Sequence, residues 1–144
     1  MDHSKRQAKP KVFIDTNIIL DVLLKRKPFY DESKRIVDLC RKSVIFGYVS
    51  QHSVATIWYV IRREFEDATC RTLMMSFLSF LDIAGAKKDQ ILDAVNNDAF
   101  PDFEDCLQDE CAFSVDADYI ITRNKKDFAA AKVQAVYPEE FVVA

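Results

Sequence analysis

Residues 11–24 read KVFIDTNIILDVLL, and the change of pattern at Asp15 decides the fold. Lys11 to Ile14 is a short apolar run, as expected of a strand buried on both faces. Beyond Asp15 the pattern predicts a helix capped by Asn17 and running through Leu24. A strand that ends on an acid where a helix begins is the first half of a β-α-β unit.

The same alternation continues outward from that segment. Lys25, Arg26, Lys27 and Pro28 break the helix; Tyr30 to Lys42 then carries Ile36, Val37, Leu39 and Cys40 at helical spacing. Val44 to Val49 reads as a second strand, and Ser50 and Ser53 are candidate starts for a helix over Val54 to Phe65. Further helical segments are predicted over Ala68 to Leu81, over Lys88 to Ala99 after a break at Gly85, and from Asp102 to Ser114 beyond Pro101. Tyr119 to Thr122 is the next strand, and Val133 to Tyr137 a last short one before a turn begun by Pro138. Strands alternating with helices predict a mostly parallel sheet in a three-layer α/β/α arrangement.

Length and composition bound the rest. The chain has 144 residues, 49% of them hydrophobic, enough for one core and too few for two ordinary domains. The expected organisation is a polar tail over residues 1–10 and a single domain over 11–144. A net charge of -3 provides no global field for nucleic acid or anionic lipid, so any polyanion must be held locally. No apolar run approaches the length that crosses a bilayer, and the chain reads as cytoplasmic, with no membrane role. Cys40, Cys70, Cys106 and Cys111 form no C-x-x-C pair and are expected as free, buried thiols. Two glycines cannot build a phosphate loop or a dinucleotide fingerprint. His52 reads as a solvent-facing residue in a first helical turn rather than as part of a catalytic triad.

In an open parallel sheet, ligands bind beyond the carboxyl ends of the strands. Asp15 lies at such an end. A helix from Asp102 descends about 20 Å, and the strand ending at Thr122 climbs back, so Asp102, Asp105, Thr122, Asn124 and Asp127 share the edge with Asp15. The spacing of Asp102, Asp105 and Asp109 further predicts three carboxylates on one helix face. Acids gathered this closely repel unless a divalent cation neutralises them, and oxygen ligands suit Mg2+ or Mn2+. Each residue also has a plainer reading: Asp102 as a helix N-cap, Asp15 and Asn17 as caps of the next helix, Asp127 as a turn residue.

The segments FIDTNIILDVLL, DFEDCLQ and DYIITRNKKDF, in this order and spacing, together resemble the PIN-domain family. The resemblance implies an α/β/α fold, a site dependent on magnesium or manganese, and hydrolysis of RNA to products with a 5'-phosphate and a 3'-hydroxyl. It also implies a VapC-like toxin with a cognate antitoxin; a homodimer is expected as well. By position, Asp15, Asp105, Asn124 and Asp127 would be catalytic, with Asp15, Asp102, Asp105 and Asp127 on the metal and Asn17 and Thr122 as polar support. Lys25, Arg26, Lys27, Arg123, Lys125 and Lys126 flank these segments and are candidates for the RNA backbone, with Arg62 and Arg63 as further candidates. The sequence departs from the family pattern in two places. Asn124 stands where an Asp is frequent, and the helix after the second strand lacks its usual Glu, with Thr56 or Ile57 at that place.

Overall fold

The computed structural model describes residues 9–143, so the expected tail lies, up to residue 8, outside the described residues. Five strands form one sheet: β1 (Lys11–Ile14), β2 (Phe46–Ser50), β3 (Leu81–Ala84), β4 (Tyr119–Ile121) and β5 (Ala135–Val136). Every pairing is parallel, and the order across the sheet is β3-β2-β1-β4-β5. Helices α1 (Thr16–Leu23), α2 (Tyr30–Arg41), α3 (Gln51–Ile61), α4 (Asp67–Leu78), α5 (Lys88–Asn96) and α6 (Phe103–Ser114) complete the three layers.

The two faces follow from the period of a strand, whose successive side chains point to opposite sides. Val12 and Ile14 of β1 pack with Ile121 of β4 into a core shared with α1, α2 and α3. Phe13 and Ile120 point the other way, into a second core with Cys106, Cys111 and Ala112 of α6. Thus β1 and β4 read as continuous apolar runs because both of their faces are covered. Gly47 serves the first core: a Cβ there would stand 2.5 Å from Cys40 Sγ and 2.7 Å from Leu81 Cδ2, so α2 can approach β2 only over a bare Cα.

Three expectations are corrected at this level. The N-cap of α1 is Asp15, with Asn17 already inside the helix, where its Oδ1 accepts from Arg26 Nη1 at 3.4 Å. The helix predicted to reach Leu81 ends at Leu78, and residues 81–84 form an edge strand that the sequence reading did not contain. Only Leu81 and Ala84 of that strand are buried, so its pattern lacked the apolar continuity of β1. The last strand is also shorter than expected, two residues rather than five. Ser50, by contrast, caps α3 as predicted, its Oγ accepting from Ser53 N at 3.1 Å. All four cysteines are free and buried.

The chain runs outward from β1 to β2 and β3, then returns to place β4 on the other side of β1. The switch point of the sheet therefore falls between β1 and β4, where a crevice opens beyond the strand ends.

Candidate active site

Asp15 sits at that crevice, 4% exposed, immediately after β1. Thr122, immediately after β4, donates its hydroxyl to Asp15 Oδ2 at 2.7 Å and so bridges the switch point. Gln108, from the middle of α6, donates Nε2 to Asp15 Oδ1 at 3.2 Å. Burial pushes the Asp15 carboxyl above the usual range, opposed by the bonds from Thr122, Gln108 and the Asn17 backbone and by the charge of Arg123. A desolvated carboxylate held by two neutral donors keeps lone pairs for a further partner.

Asp105 stands in the first turn of α6 and shares this space. Its carboxyl is pushed up to about 7, first by desolvation and then by repulsion from Asp15, Asp102, Asp127 and Glu104. Glu104 is likewise raised, by desolvation, Asp102 and Asp15. The structure thus places Asp15, Asp102, Asp127 and Glu104 near enough to Asp105 to repel its charge. Asp102 faces its own helix, with Oδ1 accepting from Glu104 N at 2.7 Å and Asp105 N at 3.2 Å, so its N-cap reading is the one realised. Asn124 and Asp127 lie on the 3-10 turn after β4, where Asn124 N donates to Thr122 Oγ1 at 3.1 Å and Asp127 N to Asn124 O at 2.9 Å.

Asp109 does not join this group, which corrects the prediction of three acids on one face. Seven residues of helix carry it about 10 Å down the axis from Asp102. There it is buried, and its two oxygens accept from Lys132 N at 2.9 Å and Val133 N at 3.0 Å, fixing the approach to β5.

The flanking cations are also rearranged. Arg123 clamps the fully buried Asp21 of α1 through Nε at 3.1 Å and Nη2 at 3.2 Å, and stacks on Phe29. Arg26 lies 3.9 Å from the same carboxylate and also reaches Asn17. Lys125 pairs with Glu140 at 3.0 Å. Lys126 is exposed and makes no ion pair among the described residues. Arg62 and Arg63 follow the far end of α3, about 16 Å from its start at the crevice edge, so they are not part of this site.

Two participants escaped the sequence reading. Gln108 offered no charge to draw the eye. Asp21 did carry a signal, a lone acid inside the apolar run of α1. The place of the missing α3 carboxylate is occupied differently: Thr16 Oγ1 and Ser53 Oγ lie 2.6 Å apart, Ser53 Oγ contacts Ser50 Oγ, and Ser50 Oγ reaches His52 Nε2 at 3.3 Å. His52 is half-buried rather than solvent-facing, and burial lowers its pKa. Thr56 bonds back to His52 O within the helix, and Ile57 belongs to the core.

Among the described residues no three His, Cys, Asp or Glu side chains stand close enough to hold a metal ion as they are placed. The donor chemistry nevertheless fits a hard divalent cation: the set is oxygen-only, Asp15, Glu104 and Asp105 are desolvated, and Asp105 is repelled by four neighbouring acids. Relief has a sign that can be measured. An ordinary aspartate ionises near 3.8, whereas folded Asp105 keeps its proton to about 7. Between those values the native state holds the extra proton, so stability from this group falls as pH rises from about 4 to about 7. A cation must displace that proton. We expect Mn2+ affinity to rise with pH up to about 7 and then level, with proton release on binding at pH 6; calorimetry in buffers of different ionisation enthalpy checks this, and identical heats in all buffers refute it.

Gln108 carries the one orphaned atom: among the described residues its Oε1 is the only buried side-chain oxygen or nitrogen without a hydrogen-bond partner. A buried acceptor without a donor costs about 1–3 kcal/mol. Replacing Gln108 by Leu removes that orphan but also takes a donor from the buried Asp15 Oδ1, so little net change in stability is expected while Mn2+ binding weakens about 10-fold, the scale of losing a group that orients a ligand. Unaltered Mn2+ affinity in that variant would show that Asp15 needs no such support.

The architecture is an all-parallel α/β/α sandwich with acids at the switch point of its sheet, the place where such folds bind their ligands. A family model for the PIN domain matches residues 11–126, and the chain belongs to the PIN-domain family, one of nucleases at the family level. Among solved structures, FitAcB from Neisseria gonorrhoeae matches with a TM-score of 0.66 at 18% identity over 90% of this chain and 99% of that one. VapBC2 from Rickettsia felis, bound to a DNA fragment from its promoter, matches at 0.65 and 16% identity over 88% and 98%. Mycobacterium tuberculosis VapC20, a sarcin-ricin loop cleaving toxin, matches at 0.64 and 14% identity over 83% and 94%. These likenesses establish the fold. Comparison with curated proteins finds no match in sequence. No helix among the described residues is long and apolar enough to cross a membrane.

Proposed function

We propose that this chain is a metal-dependent endoribonuclease that hydrolyses RNA phosphodiester bonds, acting as the toxin of a toxin-antitoxin pair. One observation carries the reading: Asp105, at the same sheet edge as the buried Asp15, is pushed up to about 7 first by desolvation and then by repulsion from Asp15, Asp102, Asp127 and Glu104. Asp15, Asp105 and Asp127 would hold Mg2+ or Mn2+, with Asp102 and Glu104 adding to the field. Such a cation lowers the pKa of a bound water and polarises the scissile phosphate.

The chain's own residues supply the rest. Thr122 and Gln108 fix the two oxygens of Asp15, so its carboxylate cannot rotate away from the crevice. Asp105 ionises near neutrality, which lets it release a proton when a cation arrives. Lys126, with Lys25 and Lys27, is left to meet the RNA backbone. The likeness to VapC20 and to VapBC complexes supports RNA as substrate and an antitoxin as partner. A homodimer, a cytoplasmic location and a single domain over residues 11–144 complete the proposal. The test is cleavage of RNA by the purified chain: products with 5'-phosphates that appear with Mg2+ or Mn2+ and vanish with a chelator are expected, and cleavage indifferent to chelation rejects the reading.

A second reading is favoured by the α3 segment, which has no carboxylate between Gln51 and Ile61 and instead closes Thr16, Ser50 and Ser53 on one another. A PIN domain weakened in this way would bind RNA or a protein without cutting. Absence of Mn2+ binding by calorimetry, together with retained RNA binding, selects it.

A further inference from the structure

Beside the acidic crevice lies a cleft of about 360 Å3, between the start of α3, the segment after β3 and the flank of α6. Gln51, His52, Gly85, Ile91, Leu107 and Cys111 line it. We propose that this cleft is a nucleobase subsite, which seats one base of the RNA next to the phosphate held at Asp15. The inference rests on the ribonuclease reading for its ligand.

Position is the first argument. α6 turns Asp105 and Gln108 toward Asp15 and, interleaved with them at i and i+4, Leu107 and Cys111 toward the cleft. From the opposite wall, hydrogen bonds run from His52 through Ser50 and Ser53 to Thr16, the neighbour of Asp15. Three such links span roughly 10 Å. The His52 wall of the cleft therefore lies no farther than about that from Thr16, within the reach of one nucleotide.

Chemistry is the second. The acidic crevice suits a cation and a phosphate, whereas no wall of the cleft carries a formal charge. Burial lowers the pKa of His52, which keeps its imidazole neutral near pH 7, and raises the Cys111 thiol to about 11. A phosphate entering this space would lose hydration without gaining a counter-charge. A base loses little: its faces meet Ile91, Leu107 and the imidazole, and its polar edge meets a carboxamide. Apolar walls with a few convergent polar groups are the usual make-up of a small-ligand site.

Gly85 is the third. Its φ is not in the left-handed region, so backbone conformation does not require glycine. A Cβ at this position would stand 3.2 Å from Gln51 Oε1. The missing methyl thus leaves room for the Gln51 amide, which makes no hydrogen bond to any described side chain and is exposed at the rim. Ser114 Oγ, whose one proton is nearer Cys111 O at 2.7 Å, also lies 3.1 Å from Gly85 O and so sets α6 against that rim.

The test uses the full chain without metal, so that it does not depend on activity. Adenosine, guanosine, cytidine and uridine are titrated while NMR follows the Gln51 amide and the His52 ring. At least one nucleoside is expected to shift both signals saturably, with Gln51→Ala weakening it at least about 5-fold and Leu107→Trp abolishing it. In the cleavage assay Gln51→Ala is expected to change the preferred cut sites while Mn2+ affinity stays within about twofold. No saturable shift with any nucleoside, shifts untouched by Gln51→Ala, or equal binding of benzene would overturn the subsite. If cleavage depends on Asp15 yet no nucleoside binds, the subsite alone falls. If a nucleoside binds as described but RNA is never cut, the ribonuclease reading falls and the base site stands.

Discussion

Asp15→Asn is expected to eliminate Mn2+ binding detectable by calorimetry and to lower RNA cleavage by at least about 10²–10³-fold, the scale of removing one preorganised electrostatic contact at a reacting centre. The fold is expected to survive. Asn is nearly isosteric, and its amide can still meet the Thr122 hydroxyl and the Gln108 side chain that now hold the carboxylate at 2.7 and 3.2 Å. Stability has a definite direction. Desolvation raises the pKa of Asp15, so stability from this group is lost as pH rises from the ordinary value of 3.8 toward the folded one, and stays lost above it. The Asn variant should therefore match the parent in acid and exceed it at higher pH in the absence of metal. Asp105→Asn should repeat the pattern, with the gain developing between about pH 4 and 7. Because the two acids repel each other, the double variant should gain less than the sum of the single ones. Thermal unfolding across pH and metal calorimetry decide the matter; full cleavage by either variant would remove the site from consideration.

Arg123→Met is expected to be the most destabilising change near the crevice, at about 3–5 kcal/mol, the range for stripping one partner from a buried ion pair. Asp21 is fully buried and accepts from Ser33 Oγ at 3.1 Å as well as from both Arg123 nitrogens. Arg26, at 3.9 Å, is too far and too exposed to replace the clamp. Without Arg123 the carboxylate keeps its desolvation cost and loses its main compensation. Removing both charges in Asp21→Leu with Arg123→Met should recover most of the loss. Urea unfolding of the single and double variants reads the difference, and a loss below about 1 kcal/mol for Arg123→Met would mean that the clamp is only a surface pair.

These two residues also show what the sequence could and could not disclose. The strand into Asp15, the cap at Asp102 and the strand into Thr122 were all legible, because parallel strands covered on both sides read as apolar runs and their polar ends mark one edge. Asp109 was misplaced because periodicity reports the direction a side chain faces and not its distance along the axis. Strand β3 was missed because an edge strand with Asp82 and Ile83 exposed has no apolar continuity to read. Gln108 was invisible for a different reason: a neutral side chain acquires its role only from the acid it meets 93 residues away. The clamp of Arg123 on Asp21 was likewise hidden, since the two stand 102 residues apart.

The bond from Thr122 to Asp15 joins positions 107 residues apart. β1 cannot be flanked on that side, nor Asp15 anchored, until β4 has been made and has inserted beside it. During synthesis, where chains emerge at about 5–20 residues per second, a ribosome-bound fragment ending before residue 119 holds Asp15 without its lock. A fragment cut short of β4 is thereby left with Asp15 unanchored, so the candidate site is completed only once both flanking strands are present.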